Sequence, residues 1–222
     1  ILLSRVPNPE RFGVVTLDES GDVMRLVEKP TQPESDLALV GVYLFDRTIW
    51  GVIDRLQPSP RGEYEITEAI QLLLDSGRQV AATEVSGWWK DTGQKEDLLE
   101  ANDLVLAGLK PANDGLVAGS VIEGVLLVGE GSSVTDCRVE GPVVVGSGTK
   151  IENSVLGPGT AIGDRCTVSD ARLQSSIVLD GCAVEGWSLR SSLLGRGVTM
   201  TRPGPADAVS VMLGERSRIE GT

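Results

Sequence analysis

The stretch VGEGSSVTDCRVEGPVVVGSGTKIENSVLGPGTAIGDRCTVSDARLQSSIVLD, residues 128–180, decides the architecture of the second half of the chain. Val128-Gly129, Val145-Gly146, Ile162-Gly163 and Leu179-Asp180 recur at intervals of 17 residues. A second register runs through Val134, Ile151 and Val168, and a third through Val139, Leu156 and Leu173. The apolar positions therefore follow one another at spacings of 6, 5 and 6, one per short strand and three strands per coil. Such repeats bury a continuous axis only by stacking on one another. The spacing predicts a triangular parallel β-helix over residues 119–200, with aliphatic side chains stacked inside and Gly or small polar residues at the corners. The repeat stops at Thr201, so residues 201–222 are expected to return along the prism or cover its last coil, where an open strand edge invites aggregation.

Residues 1–107 carry a different pattern, and residues 108–118 read as the linker between the two. ILLSRV, FGVVTL, DVMRLVEK and QVAATEV are short apolar or alternating runs bounded by Pro, Gly and Asp, which predicts strands. Gly21-Asp22 sets a tight hairpin between the second and third. LALVGVYLF, 37–45, is almost continuously apolar and suits a strand covered on both faces. Helical spacing appears over 46–56, over 64–76 and in KEDLLEANDLVLAG, whose acidic first turns suit a helix N-terminus. This is an α/β layout. The chain opens at Ile1 directly in a strand, and these strands alone would leave an apolar face bare. The sequence is therefore expected to be the C-terminal portion of a longer protein, or to rely on a partner chain.

Composition narrows the function. The formal charge of −12 disfavours nucleic acid or an anionic membrane as partner. No apolar run approaches the roughly 18 residues of a membrane span, and no charged-then-apolar leader opens the chain, which together predict a soluble protein. Cys137, Cys166 and Cys182 lack metal-ligand spacing and are expected to be small core residues in a reducing cytoplasm. There is no His, which removes the commonest general base near neutral pH and most zinc sites. Chemistry must run on carboxylates, Lys, Arg or a bound cation.

Three motifs can carry such chemistry. VEKP, 27–30, puts Glu28 and Lys29 at a strand end that Pro30 closes. Glu28 can accept hydrogen bonds from sugar hydroxyls and Lys29 can hold a phosphate, or the two form an exposed ion pair. SPRGEYEITEAI, 59–70, turns at Arg61 and becomes a helix, so Arg61 is either a phosphate fork at a helix start or a solvated loop residue. In GWWKDTG, 87–93, Asp91 either caps the following turn or ligates Mg2+, which takes one or two carboxylates plus phosphate oxygens. Trp89 is suited to wall a sugar face, and Trp88 to fill core.

In this order and spacing, FGVV…VEKP…LVGVYLF…SPRGEYEIT…WWKDTG resembles the C-terminal half of the sugar-1-phosphate nucleotidyltransferases. The likeness is greatest to the long-type glucose-1-phosphate thymidylyltransferases, in which a left-handed β-helix of hexapeptide repeats follows the catalytic domain. It covers the whole chain. The resemblance implies transfer of dTMP from dTTP to glucose 1-phosphate, giving dTDP-glucose and pyrophosphate, in a cytoplasmic homo-oligomer that uses Mg2+. It implies that Gly13, Glu28, Leu39, Gly41, Tyr43 and Trp89 line a sugar pocket, that Lys29 and Arg61 are the catalytic cations on the sugar phosphate, and that Asp91 is one of two Mg2+-binding aspartates. The family's Gly-rich nucleotide loop and its first metal-binding Asp have no counterpart in this sequence. The chain is thus expected to hold the sugar-accepting half, to lack the half that binds dTTP, and to be inactive alone. Two other readings stand beside this one: a non-catalytic sugar-phosphate-binding or oligomerisation module, and a hexapeptide acyltransferase. The absence of His speaks against the second.

Overall fold

Alternating apolar residues near the start of the chain build a five-stranded sheet from β1 (Leu2–Arg5), β2 (Gly13–Leu17), β3 (Val23–Glu28), β4 (Leu37–Leu39) and β5 (Thr83–Glu84), in the order β3-β2-β4-β1-β5. The computed structural model describes residues 1–201 and 207–220. β1 pairs parallel with β5, and the other neighbours pair antiparallel. The β2–β3 turn closes as its residues predict. Asp18 Oδ1 accepts from the backbone of Ser20 and Asp22, and Gly21 takes φ +87°.

Helix α2 (Ile66–Asp75) packs on this sheet with Ile70, which joins Leu3, Val15, Leu26 and Leu39 in one core. Ala69 and Leu73, one turn apart on a second stripe, meet Ile49 and Val52 of α1 (Thr48–Ile53). β3 is an edge strand, and its Leu26 N–H donates to Gln71 Oε1 of α2 at 2.8 Å, so the helix satisfies a donor the sheet leaves unpaired. The apolar run 37–45 differs from expectation. Only Leu37–Leu39 is strand. Gly41 takes φ +77°, which ends the ladder, and Leu44 beyond it is 92% exposed.

The chain divides into two units, Ile1–Asp91 and Thr92–Thr222. Helix α3 (Lys95–Ala107) therefore groups with the β-helix. Asn102 Nδ2 donates to Gly159 O at 3.0 Å, and Lys95 Nζ donates to Ser210 Oγ at 2.8 Å, both within that unit.

The second unit is a parallel β-helix. Among the described residues, two of its sheets have seven strands and one has five. One face stacks Val117, Val134, Ile151, Val168, Val184, Met200 and Ile219 in register. Another stacks Ile122, Val139, Leu156, Leu173 and Leu189. The third stacks Val128, Val145, Ile162, Val178, Leu194 and Leu213. Winding begins ahead of the expected 119, since Ala112–Asn113 and Leu116–Ala118 already pair with the next coil.

The third register corrects the 17-residue reading at its last step. Ile162 stands opposite Val178, 16 residues on, and Leu179 is 37% exposed. The corner Gly157-Pro158-Gly159 in one coil is replaced by the shorter Gln174-Ser175 in the next, so each later coil loses one residue. Asn153 and Asp170 stack at another corner with φ of 46° and 52°. Asn153 Nδ2 donates to Asp170 Oδ1 there, a left-handed position that Asn and Asp accept more readily than other non-Gly residues.

The described part of the C-terminal tail continues the winding. Met212–Leu213 and Arg218–Glu220 add to two of the sheets, which covers the last full coil. The capping reading of 202–206 and 221–222 lies outside the described residues. Cys137, Cys166 and Cys182 are free and buried in the prism. Among the described residues no helix is long and apolar enough to cross a membrane.

The register makes a direct test. Leu156→Ala, at a site with 0% exposure, should cost about 2–5 kcal/mol in chemical denaturation. Leu179→Ala should cost about 0.5 kcal/mol or less. Equal losses would restore the uninterrupted 17-residue register.

Candidate functional site

Gly13 and Glu28 face each other as Cα partners at the open end of the β2–β3 hairpin. The first turn of α2 crosses close over this pair. A Cβ on Gly13 would overlap Thr67 Cγ2 and stand 3.0 Å from Glu28 Oε2, so only Gly allows the approach. Thr67 Oγ1 donates to Glu28 Oε2 at 3.1 Å, and Arg61 Nη1 lies 3.8 Å from Glu28 Oε1.

Lys29 follows with φ 42°, in a region that costs a non-Gly residue about 1 kcal/mol or more. Its N–H donates to Phe12 O at 2.9 Å, and Pro30 keeps the chain from continuing the ladder. The turn leaves the Lys29 side chain exposed, without an ion pair among the described residues.

These residues form one wall of a cavity of about 440 Å³ in the first unit. Gly13, Glu28, Lys29, Leu39, Gly41, Tyr43, Trp89 and Asp91 all line it, so the structure brings together residues from VEKP, LVGVYLF and WWKDTG. A second opening of about 490 Å³ contains none of these motif residues beyond Leu44 and Phe45 of the apolar run. Its charged groups are Asp46 and Arg78, and Asp46 is already occupied by Thr48.

Trp89 meets Phe12 edge to face at 5.6 Å and 68°, which fixes one aromatic wall. Tyr43 stacks on Phe45 at 5.9 Å and is partly buried. Burial, and then the negative charge of Glu28, raise the Tyr43 phenol above its usual value.

Arg61 is placed differently from the phosphate fork expected of it. It does not line the cavity. Its guanidinium is taken up by Glu63 at 2.9 Å and Glu65 at 3.4 Å, with Glu28 behind at 3.8 Å. Trp88 also departs from expectation: it is 61% exposed and fills no core.

Residues outside the sequence reading join the site as well. Arg11 sits over the Phe12 ring at 5.9 Å, and Tyr64, Glu65 and Ile66 close the α2 side. Glu65, read as a helix-start acid, is 8% exposed because it binds Ser59 Oγ and Arg61. The pairing of Ser59, Arg61 and Glu65 within SPRGEYE was the available signal. Thr67 carried none, since its partner is distant in sequence.

Asp91 stands exposed at the cavity edge. Among the described residues no group of three or more His, Cys, Asp or Glu can hold a metal unaided. Asp91 thus fits Mg2+ in the mode in which phosphate oxygens supply most of the ligands.

Residues 1–108 match the family model described as Nucleotidyl transferase. The chain is 47% identical over 223 residues to a glucose-1-phosphate thymidylyltransferase of Streptomyces griseus, and 43% identical over 223 residues to one of Streptomyces antibioticus. It is 36% identical over 229 residues to the low-salt glycan biosynthesis nucleotidyltransferase of Haloferax volcanii. Each match takes in 99% of this chain and 63% of the relative's length. That coverage corrects the expected likeness to a C-terminal portion only: the similarity extends over well more than half of each relative.

The Tyr43 environment gives a pH prediction. A raised phenol keeps its proton in the folded state, so this contribution to stability is complete below pH of about 10 and is lost as pH rises through the folded value. Glu28→Gln should move the Tyr43 ionisation down, read by ultraviolet difference titration, and leave part of the shift, because burial is the larger cause. An unchanged titration would separate Tyr43 from Glu28.

Proposed function

We propose, from a first segment that matches the nucleotidyl transferase model, that the cavity of residues 13–91 receives a sugar 1-phosphate and that the protein transfers a nucleotidyl group to it. The finer reading is transfer of dTMP from dTTP to glucose 1-phosphate, with dTDP-glucose and pyrophosphate as products. The observation that carries it is the convergence of a hydroxyl-binding carboxylate, a phosphate-binding ammonium and an aromatic wall, Glu28, Lys29 and Trp89, on one cavity of about 440 Å³. The relatives with the same named activity support the choice of substrates.

Glu28 accepts hydrogen bonds from sugar hydroxyls, with its second oxygen oriented by Thr67. Gly13 and Gly41 let the sugar approach the backbone, and Trp89 bounds one face of the ring. Lys29 neutralises the sugar phosphate as a point charge. Arg61 adds positive charge behind Glu28 and acts on the site mainly by holding that carboxylate and Glu65 in place.

The nucleophile is an oxygen of the sugar phosphate, which attacks the α-phosphorus in line as pyrophosphate leaves. An ionised phosphate needs no general base, which suits a chain without His. Asp91 would hold Mg2+ together with phosphate oxygens, and the ion would neutralise charge on the phosphates. The rest of the catalysis is positioning and charge compensation. A homo-oligomer in the cytoplasm is the setting this reading favours.

Two measurements check the proposal. Calorimetric titration of the chain with glucose 1-phosphate should show saturable binding that Lys29→Ala weakens about tenfold or more. Indifference to that substitution would remove Lys29 from the phosphate. Protein expressed from its complete gene, given dTTP, glucose 1-phosphate and Mg2+, should release pyrophosphate and form dTDP-glucose. Sugar-phosphate binding without product would favour the non-catalytic binding module instead.

A further inference from the structure

The outer surface of the β-helix carries a second feature, unrelated to the cavity of the first unit. Val139, Leu156, Leu173 and Leu189 point into the prism on one of its faces, each with 2% exposure or less. Alternate residues on a strand face opposite sides. The outward positions of that face are therefore Arg138 and Glu140, Val155 and Gly157, Arg172 and Gln174, and Ser188 and Arg190. Gly157 contributes no side chain to its row. A hollow of about 190 Å³ opens there, lined by Glu140, Gly157, Arg172, Gln174, Ser188 and Arg190 among others.

The charges around this hollow are unequal in their partners. Arg138 is tied to Glu140 at 3.0 Å and Glu123 at 3.6 Å, so both the cation and the carboxylate on that side are satisfied. Arg165, Arg196 and Arg218 in the same unit each reach a carboxylate too. The guanidinium groups of Arg172 and Arg190 have no ion pair or hydrogen bond among the described residues, and both are exposed. That is notable in a chain where 32 acids face 20 bases.

Arg172 pairs across the strands with Ser188, and Gln174 with Arg190, so the two arginines are diagonal neighbours. Diagonal positions lie about 7–8 Å apart, a gap that one tetrahedral oxyanion bridges between two long side chains. Two guanidinium forks, an amide and a hydroxyl then supply donors on every side of it.

We propose that this hollow is a second anion site, which binds a compact phosphate group between Arg172 and Arg190. The group is either free or the terminal phosphate of a small metabolite. Gln174 and Ser188 complete its hydrogen bonds. Because the site lies within the β-helix unit, its occupancy does not depend on Lys29 or on the sugar-phosphate reading of the first unit.

The test uses the full chain carrying Lys29→Ala, which removes the phosphate ligand proposed for the first unit. Inorganic phosphate, pyrophosphate and dTDP are titrated separately by calorimetry at low ionic strength, and the arms identify which form of the phosphate group the hollow prefers. Saturable binding of at least one probe is expected. Adding Arg172→Ala and Arg190→Ala should weaken it about tenfold or more. Adding Arg138→Ala, whose charge is already paired, should leave it within about twofold. Both arginines are exposed, so thermal unfolding of the double substitution should match the parent and rule out misfolding as the cause. Absence of saturable binding for all three probes, or equal binding with and without the two arginines, would overturn the proposal.

Discussion

The Glu28 carboxylate, at the last residue of β3, accepts a hydrogen bond from Thr67 on α2 and faces the Arg61 guanidinium of the preceding loop. Strand, helix and loop are joined at one group. The junction forms only because Gly13, opposite Glu28 on β2, has no side chain to hold the helix away. Once α2 is seated there, Ile70 reaches the sheet core and Ala69 and Leu73 reach α1. The same seating places Glu65 and Ile66 on one side of the cavity and Lys29 on the other. The binding carboxylate and the packing of the unit thus share a single constraint. A charged group that is partly buried and oriented by a hydrogen bond is costly to build, and its cost is offset here by a geometry that a ligand can use.

The β-helix rests on a different constraint. Parallel ladders require every coil to present its aliphatic residue at the same height as the last, or the axis opens a void. Coils of 17 and of 16 residues both satisfy this, because the residue lost is taken from a corner and not from a strand. Corner residues such as Asn153 and Asp170 absorb the change of direction with positive φ. Side chains on the outer faces are released from this demand. That is why a row can carry Gly157 and leave a hollow beside two arginines.

The β-helix was legible in the sequence because its signal is repeated, and one mistaken step is outvoted by its neighbours. Leu179 was that step: as an aliphatic residue 17 positions after Ile162 it fitted the period, and only the pairing of Ile162 with Val178 shows the shortened corner. In the first unit the three motifs could be read as chemistry because their residue types are rare in combination. Their surroundings could not. Thr67 and Glu65 act across long or helical distances, and nothing in the local pattern marks Glu65 as the residue that captures Arg61. The run 37–45 misled for a related reason: continuous hydrophobicity reads as a buried strand, but a glycine in the left-handed region turned it outward after Leu39. Trp88 misled likewise, because a large ring predicts burial only where a partner surface meets it.

The account's central claim is that a sugar phosphate lies between Glu28, Lys29 and Trp89. A crystal structure of the protein soaked with glucose 1-phosphate tests it most directly. The account predicts density for the sugar against Trp89, with a hydroxyl within hydrogen-bond distance of Glu28 and the phosphate beside Lys29 Nζ. A sugar phosphate bound elsewhere on the protein, with this cavity holding only solvent at saturating ligand, would contradict it.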